Sequence, residues 1–202
     1  DNPKIIQAAE VIERNALVQT RIVDDLLDMS RIVSGKIRLE IREYDLRDVV
    51  DAAVEAVRAA AEARGIVLET RVDASVPPLR GDPHRIQQVL WNLLSTAIKF
   101  TGQDGTVRLE ARRVQSQVQV SVDDTGLGIA PEFLPFVFER FRQADSSATR
   151  NHGGLGLGLA IVKQIVELHG GTVGVASGGA GQGASFTLAL PIAQGGSRGQ
   201  RT

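Results

Sequence analysis

The sequence predicts a two-layer α/β sandwich, a mixed sheet with helices on one face, preceded by a long N-terminal helix. Three observations carry this. No glycine and no proline interrupts residues 4–34, so one unbroken helix is expected there. Two pairs of strand-like segments close on short turns, at 106–113 with 117–123 and at 172–176 with 184–190. Such hairpins exclude a purely parallel, doubly wound sheet. Between the strands lie segments with helical apolar spacing, at 45–64, 83–100 and 156–168.

The N-terminal helix is expected from Pro3, a residue tolerated in a first turn, to Val33. Ile5, Ala9, Ile12, Ala16, Gln19, Val23, Leu26, Ser30 and Val33 recur at alternating spacings of four and three. That is a heptad-like seam, and Ile22, Leu27 and Met29 widen it as in a helix bundle. A helix of this length, roughly 45 Å, overhangs a small domain. A solvent-spanning linker helix is the alternative. Ser34-Gly35 ends it, and residues 36–41 alternate as a strand. The helix at 45–64 closes on Gly65, and a second strand follows at 66–72. Pro77, Pro78 and Gly81 mark a loop. Asp82 is a good N-cap and Pro83 a good first residue for the helix reaching Phe100. After the first hairpin a short helix is expected near 131–141. Residues 142–154 are polar and aperiodic and read as a mobile loop. Gly170-Gly171 closes the last helix, and the tail from Gln194 reads as disordered. The expected division is 1–35, 36–193 and 194–202.

Composition narrows the function. The 202 residues are 43% hydrophobic and 23% charged, ordinary for a globular chain. A net charge of −1 gives no bulk attraction to nucleic acid or to an acidic membrane, and neither is expected as a partner. Without cysteine there are no disulfides or thiolate metal sites, which fits a reducing compartment. The expected location is cytoplasmic, whether or not a parent protein is anchored upstream. The first residue is Asp1, which suggests a fragment.

Four segments carry candidate chemistry. On the 83–100 helix, Gln88, Asn92, Thr96 and Lys99 form a stripe at helical spacing, with Ser95 beside it. Amides, a hydroxyl and one lysine suit a polyphosphate and its magnesium, which prefers oxygen ligands. Alone, the stripe fits a mildly polar surface equally well. Asp123-Asp124-Thr125-Gly126-Leu127-Gly128 follows a strand. Glycines two apart let backbone approach a flat ring, and a carboxylate accepts from an exocyclic amine such as that of adenine. A tight turn is the bland alternative. Gly153-Gly154-Leu155-Gly156-Leu157-Gly158 opens a helix, where backbone N–H groups gather for phosphate. Its spacing is wrong for a dinucleotide fingerprint and no strand is expected before it, and it lacks the Lys-Ser/Thr ending of a P-loop. Gly181-Gln182-Gly183-Ala184-Ser185-Phe186 begins the closing strand. Alone it is a hairpin turn, and the alternative is that Ser185 turns its hydroxyl toward Asp124 or a water.

Together, in this order, these segments resemble the N box, F box and three glycine boxes of the sensor histidine-kinase catalytic domain, of the superfamily shared with gyrase-type ATPases. The F box is Phe138-Glu139-Arg140-Phe141-Arg142-Gln143, and this stretch through Val162 is especially similar to hybrid-type kinases. Asp24-Asp25-Leu26-Leu27-Asp28-Met29-Ser30-Arg31 resembles the second helix of that family's dimerisation and phosphotransfer hairpin. The resemblance implies ATP and Mg2+ as cofactors, with homodimerisation through the N-terminal helix and a response-regulator receiver domain as partner. It implies that Asp124 binds the adenine amine and that Gly126 and Gly128 line the adenine pocket. Asn92 and Lys99 would face the phosphates, with Asn92 and Thr96 at the metal. Residues 142–154 would form a lid. Arg142, Gly154, Gly156, Leu157, Gly158 and Ser185 would contact nucleotide, and Phe138 and Phe141 would pack the base of the lid.

Two departures stand out. The N box normally reads N-x-x-x-N, and here its second asparagine is Thr96. The acceptor histidine normally lies in a His-Glu/Asp-x-Arg motif, and none of His84, His152 and His169 has that context. The expectation is therefore a histidine-kinase domain that does not phosphorylate itself. Hydrolysis is disfavoured, because Asn92 stands where gyrase-type enzymes carry a glutamate base. A catalytically silent ATP-binding or dimerising scaffold is the rival from another class.

Overall fold

The computed structural model describes residues 16, 19–20, 23–24, 26–31, 34–35, 37–143 and 155–192. The N-terminal helix, α1, is seen at 16, 19–20, 23–24 and continuously over 26–31. There follow β1 (Arg42–Tyr44), α2 (Leu46–Glu62), β2 (Val67–Val72), β3 (Leu79–Gly81), α3 (Pro83–Phe100), β4 (Thr106–Val114) and β5 (Gln117–Asp124). After a 3-10 turn at Leu134–Phe136 come α4 (Gly158–Leu168), β6 (Thr172–Ala176) and β7 (Ala184–Pro191).

The main sheet has the order β2-β4-β5-β7-β6. Its β2–β4 pair is parallel and the others are antiparallel, so the sheet is mixed as expected. Alternation along the strands decides which face the helices cover. Val107, Leu109 and Ala111 of β4, Val118, Val120 and Val122 of β5, and Phe186, Leu188 and Leu190 of β7 all point one way and are buried. The helices answer with Val50, Ala53 and Val57 of α2, Ile86, Leu90 and Leu93 of α3, and Ile161 and Ile165 of α4. Each fully buried aliphatic side chain contributes about 1.5–3 kcal/mol. The opposite face carries Arg108, Arg112, Gln119 and Ser121 and meets water.

The chemistry of Asp82 sets where α3 begins. Its Oδ1 accepts from the backbone N–H groups of His84 and Arg85, each at 3.1 Å. Its Oδ2 accepts from Glu40 N–H at 3.0 Å. Its own N–H donates to His169 Nε2 at 3.0 Å. The other ring nitrogen of His169 lies 2.8 Å from the Ile165 carbonyl. A carbonyl only accepts, so Nδ1 carries the proton and Nε2 the lone pair. One neutral histidine thereby ties the end of α4 to the start of α3.

Three local expectations need correction. The strand expected at 36–41 lies at Arg42–Tyr44 instead, where it pairs with β3, a three-residue strand in the segment expected as loop, which limits its length to three residues. The helix expected near 131–141 is a single 3-10 turn. Pro135 lacks a donor there, and Phe141 is left-handed at φ 60°, which ends any helix. The last helix starts at Gly158 rather than Gly156, since Gly156 is itself left-handed.

α1 docks on α3 through a closed polar ring. Asp28 Oδ2 accepts from Arg85 Nη1 at 2.6 Å and from Gln88 Nε2 at 2.7 Å, while Arg85 also donates to Gln88 Oε1 at 2.8 Å. Asp28 and its neighbour Met29 are buried, while Val23, Leu26 and Leu27 stand exposed. Asp28→Ala strands a guanidinium and an amide at this joint, which costs about 1–3 kcal/mol. The expected result is faster hydrogen exchange over 26–31 with little change in the sheet. No helix among the described residues is long and apolar enough to cross a membrane.

Candidate functional site

A cavity of about 570 Å³ opens between α3, the loop after β5, the 133–143 segment and the N-terminus of α4. That size suits a small-molecule cofactor. Asn92, Thr96, Lys99, Asp124, Gly128, Arg142, Gly156, Leu157 and Gly158 all line it, so segments far apart in sequence converge. Gln88 does not: one turn earlier on α3, it belongs to the joint with α1.

Strand alternation explains why Asp124, and not Asp123, enters the cavity. Asp124 continues the buried series Val118, Val120, Val122, whereas Asp123 faces out and accepts from Ser121 Oγ at 2.9 Å. The turn holds the Asp124 carboxylate, since Gly126 N–H donates to Oδ1 at 2.9 Å. Burial pushes the Asp124 carboxyl above the usual carboxylate range, against the opposing backbone hydrogen bonds from Gly126 and Ala184. Gly126 is not a wall of the cavity, and its part is to hold Asp124. Ser185 is placed differently from the expectation as well. It sits in register with Asp123 on the outer face, while its neighbours Ala184 and Phe186 reach the cavity.

On α3, Thr96 Oγ1 donates to the Asn92 carbonyl at 2.7 Å. Its remaining lone pairs are those of a short oxygen ligand. Asn92 Nδ2 and Ser95 Oγ are buried and have no hydrogen-bond partner among the described residues. Such orphans at a cavity wall mark groups that a ligand or its waters satisfy. Lys99 lies with Nζ 5.0 Å from the centroid of the Phe100 ring, and burial lowers its pKa below that of an ordinary lysine. Arg142 stacks over Phe136 at 5.0 Å and pairs with Glu139 at 3.0 Å.

At the far wall the first turn of α4 has no side-chain cap, so backbone N–H groups are available to an anion. Gly156 (φ +67°) is required there: a Cβ would come 2.7 Å from the Arg142 carbonyl oxygen. Phe141 N–H donates to the Gly156 carbonyl at 3.0 Å and ties this wall to the F-box segment. Phe138 packs edge-on against Phe186 at 6.3 Å. Gly154 and His152 lie outside the described residues, as do 144–154 generally.

Sequence reasoning missed the apolar walls: Trp91, Leu127, Ile129, Phe133, Leu155 and Phe186 all line the cavity. Their spacing resembles that of core residues, and only proximity to the glycines hinted otherwise. Lys99, Asp124 and Arg142 are the ionisable groups among the described lining residues.

A family model described as histidine kinase-, DNA gyrase B-, and HSP90-like ATPase matches residues 81–194. The chain belongs to this family. Within it, the likeness is to sensor histidine kinases, and the chain is an ATP-binding catalytic domain of that type. It is 34% identical over 228 residues to hybrid signal transduction histidine kinase D of Dictyostelium discoideum, covering 98% of this chain and 15% of that protein. The solved structure of full-length ShkA in complex with AMPPNP matches with a TM-score of 0.80 at 32% identity, over 95% of this chain and 39% of that one. Histidine kinase ThkA, solved in complex with the response regulator protein TrrA, shares the fold with a TM-score of 0.69 at 24% identity, over 95% of this chain and 53% of that one. The chain thus spans 15% of that relative, 39% of ShkA and 53% of ThkA.

Proposed function

We propose that this domain binds magnesium-ATP and passes the γ-phosphoryl group to a histidine on the first helix of a dimerisation hairpin, for relay to the receiver domain of a response regulator. The observation that carries this reading is the charge pattern of the cavity. Asp124 supplies an acceptor beside Gly128, where the wall admits a flat base. Lys99, Arg142 and the α4 N-terminus supply positive potential for phosphates. No described lining residue is a histidine or glutamate, and the one carboxylate, Asp124, is the group that serves the base. A water therefore has no base at the position of Asn92, which favours transfer to an incoming imidazole over hydrolysis. In the transfer, the bond from the γ-phosphorus to the bridging oxygen breaks as the imidazole N–P bond forms, and ADP leaves.

The described histidines are poor acceptors. His169 is held through both ring nitrogens, and His84 contacts Arg42 at 3.2 Å. The exposed Val23, Leu26 and Leu27 support pairing of α1 with a second copy. The test is phosphotransfer from labelled ATP to a separately supplied first hairpin helix. Acid-labile, base-stable label on that helix supports the reading. Label on His84, His152 or His169 of this chain, or free phosphate alone, contradicts it.

Magnesium fits the residues present. Asn92 and Thr96 offer oxygens one turn apart, and no cluster of His, Cys, Asp or Glu among the described residues is able to hold a metal by itself. Magnesium suits such a site, since it keeps waters and takes phosphate oxygens with one or two protein ligands. When bound, it neutralises charge on the phosphates. Thr96 reaches less far than asparagine. Thr96→Asn is expected to strengthen magnesium-dependent ATP binding roughly tenfold, one interaction of about 1.4 kcal/mol, with metal-free binding unchanged. Titrations of ATP across magnesium concentrations check this. An equal change with and without metal places Thr96 away from the ion.

A further inference from the structure

Ser177 lies between β6 and the glycine turn and does not line the nucleotide cavity, yet its hydroxyl is saturated. Its Oγ donates to the Gly183 carbonyl at 2.6 Å and accepts from the backbone N–H of Ile129 at 2.9 Å and of Gly179 at 3.3 Å. One oxygen thus uses its single proton and both lone pairs. The partners belong to two different loops. Gly179 and Gly183 sit in the turn from β6 to β7, and Ile129 sits in the loop after β5 that carries Gly126 and Gly128.

The two loops are zipped beside it by Gly181 N–H to the Leu127 carbonyl at 2.7 Å and Gly183 N–H to the Gly126 carbonyl at 3.1 Å. Both loops furnish cavity wall, one through Leu127, Gly128 and Ile129 and the other through Ala180. Gly126 in turn holds the Asp124 carboxylate. Neither loop has helix or strand to fix it at this point. The side chain that crosses between them is Ser177, and the remaining links are backbone bonds a loop can exchange for water.

We infer that Ser177 is a positioning residue for the base-binding half of the site: its hydroxyl sets the spacing of the two loops and so the width of the slot beside Asp124. This rests on the nucleotide reading for its consequence but not for its geometry. Ser177→Ala removes one donor and one double acceptor together. Ser177→Thr keeps the hydroxyl.

The test has two arms. In the protein without ligand, hydrogen exchange is followed at Ile129 and Gly179 in wild type, Ser177→Ala and Ser177→Thr. Exchange at both amides should quicken in the alanine variant alone, with α3 and β4 unchanged. In the second arm ADP is titrated into the same three proteins. The alanine variant should bind about tenfold more weakly, the size of one or two lost hydrogen bonds, and threonine should restore affinity. In the phosphotransfer assay the loss should fall on KM for ATP and leave kcat alone. Unchanged exchange at Ile129 in Ser177→Ala overturns the positioning role, and so does unchanged ADP affinity or a loss that threonine fails to restore. If wild type itself binds no ADP, the nucleotide reading fails, and the exchange arm still decides what Ser177 does.

Discussion

Asp124→Asn is expected to weaken nucleotide binding ten- to hundredfold while leaving the fold intact. The substitution keeps size and shape but presents an amide where a carboxylate accepts. A lost hydrogen bond to a charged group costs about 1.5–3 kcal/mol, which is this range in affinity. Stability should move the other way. Burial raises the folded-state pKa of Asp124 above its unfolded value. The contribution to stability is then fully present below the unfolded pKa, where the group is protonated in both states, and is lost as pH rises through the folded pKa. At neutral pH the buried carboxylate opposes folding, so the empty Asn variant should melt at or above the wild-type temperature. In the wild type, ADP affinity should fall on acidification at a higher pH than an ordinary aspartate would give, and the Asn variant should lack that step. Calorimetric titration with melting curves across pH checks all three. An unmoved affinity would detach Asp124 from the base.

Gly128→Ala is expected to be more severe, with roughly a hundredfold loss of nucleotide affinity. Gly128 has φ +70°, and a Cβ there would run into the carbonyl oxygen of Gly179 on the facing loop. The left-handed backbone alone costs an alanine about 1–2 kcal/mol. Relieving the collision means parting the two loops, and with them the Leu127–Gly181 hydrogen bond, for about 1 kcal/mol more. Gly102→Ala is the control. Nothing lies within 4 Å of its Cβ, and it should bind as wild type does. Equal behaviour of the two variants in ADP titration would show that the loops do not shape the site.

The elements with strong local signals were legible in the sequence. Asp82-Pro83 announced α3, and period-2 alternation announced β4 and β5, because in each case the local chemistry and the final packing agree. Asn92, Thr96, Lys99 and Asp124 could be singled out because polar residues recurring on an otherwise apolar helix, or beside close glycines, conflict with simple burial. What failed did so for reasons outside the local window. β3 is a strand only because β1 lies beside it, with Arg42 opposite Gly81. The family resemblance implies a nucleotide contact for Ser185, but the parity of β7 turns it outward. Ser177 gave no signal at all, since a serine after a strand is ordinary until the loop it bonds is known. Likewise nothing local to the N-terminal helix marks Asp28 as a contact, and only the placement of Arg85 and Gln88 shows that it docks α1 onto α3.

On the proposed function, the affinity of this cavity for ATP depends on Asp124 at one end and on magnesium at the other. A single set of calorimetric titrations addresses it, with a non-hydrolysable ATP analogue added to wild type and to Asp124→Asn, each with and without magnesium. The expected result is one-to-one binding by the wild type, strengthened by magnesium, with Asp124→Asn weaker in both conditions and still strengthened by the metal. Absence of binding by the wild type, or binding indifferent to both the metal and Asp124, would contradict it.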